Sequence, residues 1–196
     1  MNPTSEQIKG TPPGAGHSSF DLIEAEKLFK ELPLGQDIAF LDLGCGQGYY
    51  TRALAGTLGP EAVLYALDLW PEGIASLKEW AAGEGRQNLR AMVADISRNV
   101  PLPDASVDLA LLATVLHDLV EFDMAAGALH EVHRVLKPGG TLAVVEFYQV
   151  AGPPGPPLHV RLTATAVEQL VSPFGFQKTG AADLGPYIYL IMFVKK

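Results

Sequence analysis

The sequence is poor in cysteine, in positive charge and in long apolar runs. Its one cysteine, Cys45, excludes an intramolecular disulfide and a zinc site built from several cysteines. The 14 Lys and Arg residues are outnumbered by 22 Asp and Glu residues, which argues against a nucleic-acid partner because phosphate contacts need clustered basic side chains. The apolar run 109–116 is among the longest and is too short to span a membrane. Residues 1–16 are polar and lack the apolar core of a secretory signal, so we expect a soluble, cytoplasmic protein.

The chain has 20 glycines and 15 prolines, and 48% of its residues are hydrophobic, which is typical of a turn-rich globular α/β protein. A chain of 196 residues fits one domain with a substantial core. Short apolar runs predict buried strands at 38–43, 62–67, 89–94, 107–114, 141–147, 176–179 and 187–194. Helical spacing of apolar residues predicts helices at 20–32, 50–58, 71–82, 122–136 and 163–171. The regular alternation of strands and helices predicts a parallel sheet covered by helices on both faces.

Three glycines at alternate positions, Gly44, Gly46 and Gly48, follow the first predicted strand and precede a predicted helix. At such a turn the backbone can adopt a positive φ, and a ligand can approach it closely. The dinucleotide fingerprint fails, because Tyr49 occupies the place of its third glycine, and no phosphate-loop Gly-Lys-Ser/Thr follows the turn. Asp42 would repel a pyrophosphate at this place, whereas its carboxylate suits a ligand that carries an ammonium group.

The segment Asp-Leu-Gly-Cys-Gly-Gln-Gly at 42–48 resembles the first motif of the class I S-adenosylmethionine-dependent methyltransferases. The segment 131–140 is similar to that of the small-molecule members, including those of quinone biosynthesis. The resemblance covers residues 37–196 and implies a doubly wound, mostly parallel, seven-stranded Rossmann-like sheet that ends in an antiparallel C-terminal hairpin. It makes residues 37–196 the S-adenosylmethionine-binding domain. Residues 1–36 would form an arm and a helix that can cover the active site.

Acidic residues end three successive predicted strands, at Asp42, Asp68 and Asp95, and the carboxyl ends of parallel strands meet at one edge of a sheet. Asp68 follows Gly44 at close to the ~20-residue spacing of a ribose-binding acid. The resemblance implies that Asp95 binds the adenine amino group, although Asp95 could equally cap the segment that follows it. The other residues that the resemblance assigns to the cofactor are Gly44, Cys45, Gly46, Leu69, Ile96 and Ala113.

The end of the fourth predicted strand should flank the methyl group that is transferred, and His117 lies there. Its ordinary pKa suits a general base, but a histidine at the start of a loop is also often a hydrogen-bonded scaffold residue. Residues expected near the acceptor are Glu146, Arg161, His17 and Phe20. No metal site is predicted, because His130 and His133 are three residues apart and the zinc-binding helix motif requires a spacing of four.

The resemblance therefore predicts in-line transfer of a methyl group from S-adenosyl-L-methionine to an oxygen, nitrogen or carbon of a small-molecule acceptor, leaving S-adenosyl-L-homocysteine. The protein would act as a monomer or homodimer. Two alternatives remain open at this point. One is a binding protein for S-adenosylmethionine or S-adenosylhomocysteine that has no turnover, and the other is an oxidoreductase that uses a nicotinamide nucleotide. The fold does not identify the acceptor.

Overall fold

A seven-stranded sheet in the order β3-β2-β1-β4-β5-β7-β6 forms the centre of the computed structural model, which describes residues 14–196. The first thirteen residues of the predicted arm lie outside the described residues. The strands are β1 Ala39–Leu43, β2 Val63–Asp68, β3 Leu89–Val93, β4 Val107–Ala113, β5 Leu136–Phe147, β6 Phe176–Asp183 and β7 Ile188–Lys195. The helices are α1 Ala25–Glu31, α2 Tyr49–Thr57, α3 Pro71–Gly83, α4 Leu116–Glu121, α5 Ala125–Val135 and α6 Ala164–Val171.

The predicted fold is confirmed. Strands β1 to β5 pair in parallel, and β7 pairs antiparallel with both β5 and β6, which gives the reversed C-terminal hairpin. Strands β1 and β4 lie in the middle of the sheet and are almost entirely buried. This burial explains why their sequences do not alternate between apolar and polar residues but are apolar runs, each interrupted by one aspartate, Asp42 or Asp108. Buried side chains form a separate hydrophobic cluster on each face of the sheet.

Two predicted helices are interrupted in the structure. The segment predicted as a helix over 20–32 is a 3₁₀ turn at Phe20–Leu22 followed by α1, because the Glu24 N–H donates to the Leu184 carbonyl at 2.7 Å. The helix predicted over 122–136 starts only at Ala125, since the chain turns at Asp123, whose φ is 58°. The short helix α4 before that turn was not predicted. It continues an apolar run that belongs to β4 in the sequence pattern.

The order of the strands determines where along the edge of the sheet a ligand can bind. Strand β1 lies between β2 and β4, so the connection that leaves β1 runs to one side of the sheet and the later crossover to β4 returns to the other. A crevice opens outside the carboxyl ends of the strands at such a switch point, and open α/β sheets bind their ligands there. The first glycine turn follows β1 at this point.

Candidate functional site

A cleft lies over the carboxyl ends of β1, β2 and β4, with about 1030 Å³ of empty space when its open mouth is included. Its walls are drawn from five stretches of chain, which fall within 14–19, 42–50, 68–69, 94–96 and 113–124. Nine of the predicted cofactor residues line it: Asp42, Gly44, Cys45, Gly46, Asp68, Leu69, Asp95, Ile96 and Ala113. The structure therefore brings the whole predicted cofactor set together in one cleft.

The glycine turn packs tightly on two sides and is open on the third. Gly44 has a φ of 72°, and a Cβ atom there would lie 2.6 Å from Cγ2 of Val115. Gly48 has a φ of 80°, and its Cβ would lie 2.5 Å from a methyl group of Leu77 on α3. By contrast, a Cβ on Gly46 would meet no atom within 4 Å. Gly46 is thus the place where the backbone of the turn faces the cleft.

Helix α3 supports the turn from behind through a glycine that the sequence reasoning missed. A Cβ on Gly73 would lie 2.8 Å from the carbonyl oxygen of Gly46 and 2.5 Å from the ring of Trp70. The helix can approach the turn this closely because Gly73 carries no side chain. The only sequence signal for this contact is a glycine inside a helical pattern, which usually has a packing reason.

The Asp68 carboxylate connects the end of β2 to the glycine turn. Its Oδ2 accepts the Gly46 N–H at 2.7 Å, and its Oδ1 accepts the Trp70 N–H at 2.8 Å. Each carboxylate oxygen has two acceptor positions, so these two bonds leave capacity for hydroxyl donors in the cleft. The side chain can therefore fix the turn and bind a diol at the same time.

Asp42 lies beneath the turn and is only 1% exposed. Its Oδ2 accepts the Thr51 hydroxyl at 2.5 Å. Burial raises the pKa of Asp42 to about 7, although the Thr51 hydrogen bond opposes this shift; the nearby Asp68 charge raises the pKa further. Burial also raises the pKa of the Cys45 thiol well above its usual value, with the charges of Asp42 and Asp68 adding to the effect. Cys45 is therefore a protonated, unreactive wall residue.

Asp95 lines the cleft and also caps the turn that follows it, so the capping role is observed and the binding of adenine stays a prediction. Its Oδ1 accepts the N–H of Ser97 at 3.0 Å and the hydroxyl of the same residue at 2.6 Å. Its Oδ2 lies 3.5 Å from Nε of Arg98, whose side chain is 58% exposed. The neighbouring Ile96 is buried and adds apolar surface to the same wall.

His117 and Glu146 do not line the cleft. They form a pair beneath its wall, 5% and 0% exposed, with Nδ1 of His117 2.9 Å from Oε2 of Glu146. The Nε2 atom of His117 is 3.6 Å from Oδ1 of Asp118, which does line the cleft. The predicted contact of Glu146 with the acceptor is therefore replaced by a contact with His117.

Arg161 does not face the cleft either. It is 3% exposed, and its guanidinium donates to the carbonyls of five residues of the proline-rich loop and its flank. These residues are Tyr148, Val150, Gly152, Pro154 and Pro156. The expectation that Arg161 lines the acceptor entrance is wrong for a physical reason: the carbonyls of an irregular loop need donors, and this side chain supplies one to each of five.

The N-terminal segment contributes residues that sequence reasoning largely missed. His17 lines the cleft as predicted, whereas Phe20 packs edge-on against Tyr50 instead. Ser19 is buried, and its hydroxyl lies 2.9 Å from the Tyr50 hydroxyl and 3.0 Å from the Thr114 hydroxyl. Thr114 has a φ of 56°, a strained value for a β-branched residue at the end of β4. No local signal identifies these contacts, because their partners are distant in sequence.

Residues 14–196 contain no helix that is long and apolar enough to cross a membrane. Within the same range, no group of three or more His, Cys, Asp or Glu side chains is arranged to hold a metal ion.

Comparison with known proteins gives a consistent family. A family model described as "Methyltransferase domain" matches residues 41–144, more than half of the chain. The chain is 29% identical over 128 residues to the demethylmenaquinone methyltransferase of Lactobacillus johnsonii, covering 65% of this chain and 51% of that protein. It is 33% identical over 113 residues to the ubiquinone/menaquinone biosynthesis C-methyltransferase UbiE of Neisseria meningitidis, covering 58% and 44%. The chain thus spans about half the length of these relatives.

The solved structures include a similar chain from Aquifex aeolicus, described as a SAM-dependent methyltransferase. Its TM-score is 0.82 at 25% identity, and the match covers 95% of both chains. The similarity therefore extends over nearly the whole fold, including both sides of the cleft.

Proposed function

The chain belongs to the methyltransferase-domain family, and we propose that it transfers a methyl group from S-adenosyl-L-methionine to a small-molecule acceptor, releasing S-adenosyl-L-homocysteine. The observation that carries this proposal is the Asp68 carboxylate, which is bonded to Gly46 of an open glycine turn and keeps free acceptor capacity toward the cleft. Such a group suits the vicinal hydroxyls of a ribose. A nicotinamide dinucleotide is disfavoured by the failed fingerprint.

The charges around the cleft support a cationic donor. Four carboxylates line it, from Asp42, Asp68, Asp95 and Asp118, whereas no lysine or arginine of residues 14–196 does so. S-adenosylmethionine carries a sulfonium and an ammonium, and opposite charges attract strongly in a partly buried site. We assign the open backbone at Gly46 to the methionine end of the donor, Asp68 to the ribose, and Leu69, Asp95 and Ile96 to the adenine.

The reaction needs little more from the protein than alignment. The donor supplies an already activated methyl group on its sulfonium. The turn and Asp68 hold one reactant while the wall at the end of β4 holds the other, and such positioning can contribute about 7–11 kcal/mol. The N-terminal segment would exclude water, because residues 14–19 lie across the cleft and Ser19 bonds to residues of α2 and of the β4 end.

The relatives narrow the acceptor class. The two sequence relatives named above are described as a demethylmenaquinone methyltransferase and a ubiquinone/menaquinone biosynthesis methyltransferase. We extend their acceptor class to this chain as quinols and related phenols. Nucleic acid is a poor partner for a chain with a net charge of −8. We place the reaction in the cytoplasm, carried out by a monomer or homodimer.

Calorimetry tests donor binding. Wild-type protein should bind S-adenosylmethionine and S-adenosylhomocysteine but not NAD. Asp68→Ala should weaken that binding about 10²-fold or more, because two charge-assisted hydrogen bonds of about 1.5–3 kcal/mol each are lost. Asp37→Ala is the matched control, since Asp37 is an exposed aspartate outside the cleft. Equal donor affinity in Asp68→Ala and wild type would refute the assignment.

Turnover is tested separately by a screen for S-adenosylhomocysteine formation over quinols, phenols, amines and carboxylic acids. Formation of this product with a quinol or phenol supports the proposal. Donor binding without product on any acceptor identifies a binding protein without turnover. Binding of NAD in place of the donor identifies an oxidoreductase.

A further inference from the structure

A carboxylate–imidazole pair lies immediately behind the wall of the cleft. Glu146, at the end of β5, is fully buried, and His117, at the start of α4, is 5% exposed. The Glu146 carboxylate accepts the His117 backbone N–H at 3.0 Å and lies 2.9 Å and 3.1 Å from Nδ1 of the same residue. It also accepts the Phe147 N–H at 3.3 Å. The carboxylate is thus held both by the start of α4 and by the end of its own strand.

The proton positions on His117 follow from these contacts. The Glu146 carboxylate already accepts two backbone N–H groups, and Nδ1 of His117 is placed to donate a third hydrogen bond to it. The remaining nitrogen, Nε2, lies 3.6 Å from Oδ1 of Asp118. Glu146, His117 and Asp118 therefore form a row that runs from the buried end of β5 to the surface of the cleft. In such a row the inner carboxylate fixes the tautomer and the direction of the ring.

Asp118 is the member of the row that a ligand can reach. Its side chain is 31% exposed and lines the cleft beside the apolar side chains of Leu119 and Phe122. The donor contacts proposed above use the turn after β1 and the ends of β2 and β3. Asp118 belongs to the opposite wall and has no role in them.

We propose that Asp118 is the catalytic base of the reaction, that it receives the hydroxyl proton of a phenol or quinol acceptor, and that His117 and Glu146 are its positioning residues. This inference rests on the proposed function. In the step, the acceptor oxygen or its conjugated ring carbon forms a bond to the methyl carbon while the bond from that carbon to sulfur breaks. When the ring carbon is methylated, its hydrogen then leaves as a proton and the ring oxygen regains one, which restores the aromatic ring. The electron pair stays on sulfur, which becomes a neutral thioether. The hydroxyl proton passes to the Asp118 carboxylate.

The acceptor class follows from charge and acidity. An acceptor with its own carboxylate or phosphate would meet the four acidic side chains of the cleft without a lysine or arginine among the described lining residues. A carboxylate is also a weak base, and proton transfer is efficient only when the pKa values of donor and base are not far apart. Phenols and quinols are neutral and more acidic than alcohols, so they fit both conditions.

The charges around the pair agree with this arrangement. Burial lowers the pKa of His117, but Glu146 on β5 together with Asp118 and Glu121 on α4 raise it, and the net shift is upward. Burial raises the pKa of Asp118; the charge of His117 opposes that shift, and Glu146 and Glu121 add to it. A base with a raised pKa is better able to hold a proton from the acceptor.

Nuclear magnetic resonance of the His117 ring tests the row without any acceptor. Glu146→Gln should lower the proton affinity of His117 about tenfold or more, because an opposite charge within hydrogen-bond distance is lost. Asp118→Asn should lower it by a smaller factor. Glu121→Gln, on the same helix but outside the cleft, should change it least. Equal titration of His117 in wild type and Asp118→Asn would overturn the coupling, and Asp118→Asn keeps the test available if Glu146→Gln does not fold.

Kinetics with catechol and 1,4-naphthoquinol as probes test the chemistry. Asp118→Asn should lower kcat about 10²-fold or more while KM changes little, and the rise of kcat/KM with pH that follows Asp118 ionisation should disappear. Asp118→Glu should restore part of kcat. An unchanged pH profile in Asp118→Asn, or failure of both probes to bind protein loaded with S-adenosylhomocysteine, would overturn the inference. If wild-type protein does not bind S-adenosylhomocysteine at all, the proposed function itself is overturned.

Discussion

The two walls of the cleft are built in different ways. The donor wall is local in sequence, since the glycine turn, Asp68 and Gly73 all lie within 44–73. The Asp68 carboxylate accepts backbone N–H groups from 22 residues earlier and from two residues later, which belong to the same βαβ unit and the loop that follows it. The acceptor wall joins distant parts of the chain. Its polar contacts connect Ser19 to Thr114, 95 residues away, and His117 to Glu146, 29 residues away. A local wall keeps its geometry as long as one βαβ unit is folded, whereas the other requires the complete sheet.

This difference predicts that substitutions in the donor wall act through backbone geometry. Gly44→Ala should lower the free energy of unfolding by about 2–5 kcal/mol, since an L-residue at positive φ costs about 1–2 kcal/mol and overpacking against Val115 adds about 1–3 kcal/mol. Gly46→Ala should lower the free energy of unfolding by only about 1–2 kcal/mol, the part due to the positive φ, because its Cβ would meet no neighbouring atom. It should nevertheless weaken donor binding more than tenfold.

Urea denaturation and calorimetry on the two variants check this pair. Gly46→Ala is the internal control for Gly44→Ala, as both place the same methyl group at a positive φ within the same turn. If Gly46→Ala bound S-adenosylhomocysteine as tightly as wild type, the donor would not lie on this part of the backbone.

Arg161 lies behind the acceptor wall, and its substitution should lower the stability of the protein without changing donor affinity. Arg161→Met removes the donor from five loop carbonyls, of which, within residues 14–196, only that of Tyr148 keeps a backbone N–H, from Val150. We expect a loss of about 2–3 kcal/mol because water can replace only part of these hydrogen bonds. Its guanidinium also lies 5.5 Å over the ring of Phe147, next to the Glu146–His117 pair. Thermal unfolding measures the loss. Arg90→Met, at an exposed arginine stacked on Tyr65, is the control and should cost much less.

The same contrast explains what the sequence could predict. Apolar runs and turn residues determine β1 to β5, and the motif after β1 with the acid at Asp68 locates the donor wall, because each of these signals lies within a few residues. The pattern failed where tertiary contacts decide the outcome. Met124 donates its N–H to the Leu119 carbonyl at 2.7 Å and closes a turn inside a segment with continuous helical spacing. The partner of His117 depends on which strand ends meet, and no local pattern encodes that. Arg161 bonds to carbonyls only 5 to 13 residues earlier, but they belong to an irregular loop whose course no periodic pattern predicts.

Asp42, beneath the glycine turn of the donor wall, should make the stability of the protein depend on pH. Its pKa is about 7 in the folded protein, above the 3.8 of an exposed aspartate, so the folded state binds more protons than the unfolded state between about pH 4 and 7. The contribution of Asp42 to stability therefore falls as pH rises through this window, by up to about 1.4 kcal/mol per pH unit, and is constant above it. Asp42→Asn removes this contribution.

The stability difference between Asp42→Asn and wild type, followed by urea denaturation from pH 4 to pH 8, isolates the effect from all other groups. The free energy of unfolding of the variant, relative to that of wild type, should increase as pH rises to about 7 and stay constant above that pH. A difference that does not change with pH would show that Asp42 is not buried as a titrating group. Donor affinity should move the other way, because the amide no longer attracts an ammonium group.

The smallest effect is expected at the contact between the N-terminal segment and the two walls. Ser19→Ala removes one hydroxyl that bonds to both Tyr50 and Thr114, which should cost about 1 kcal/mol. Because this contact holds residues 14–19 across the cleft, we expect S-adenosylhomocysteine to dissociate about fivefold faster, as 1 kcal/mol corresponds to about that factor in an equilibrium constant. Stopped-flow measurement of the release rate provides the test.

A double-mutant cycle with Tyr50→Phe separates the hydroxyl contact from general destabilisation. If Ser19 acts through its hydrogen bond to the Tyr50 hydroxyl, either single substitution already breaks this bond. The double variant should then release S-adenosylhomocysteine measurably more slowly than the two single effects together would predict. Strict additivity would mean that the two hydroxyls act independently. In that case Thr114 would be the partner that holds the segment, and the segment would be tied to the acceptor wall alone.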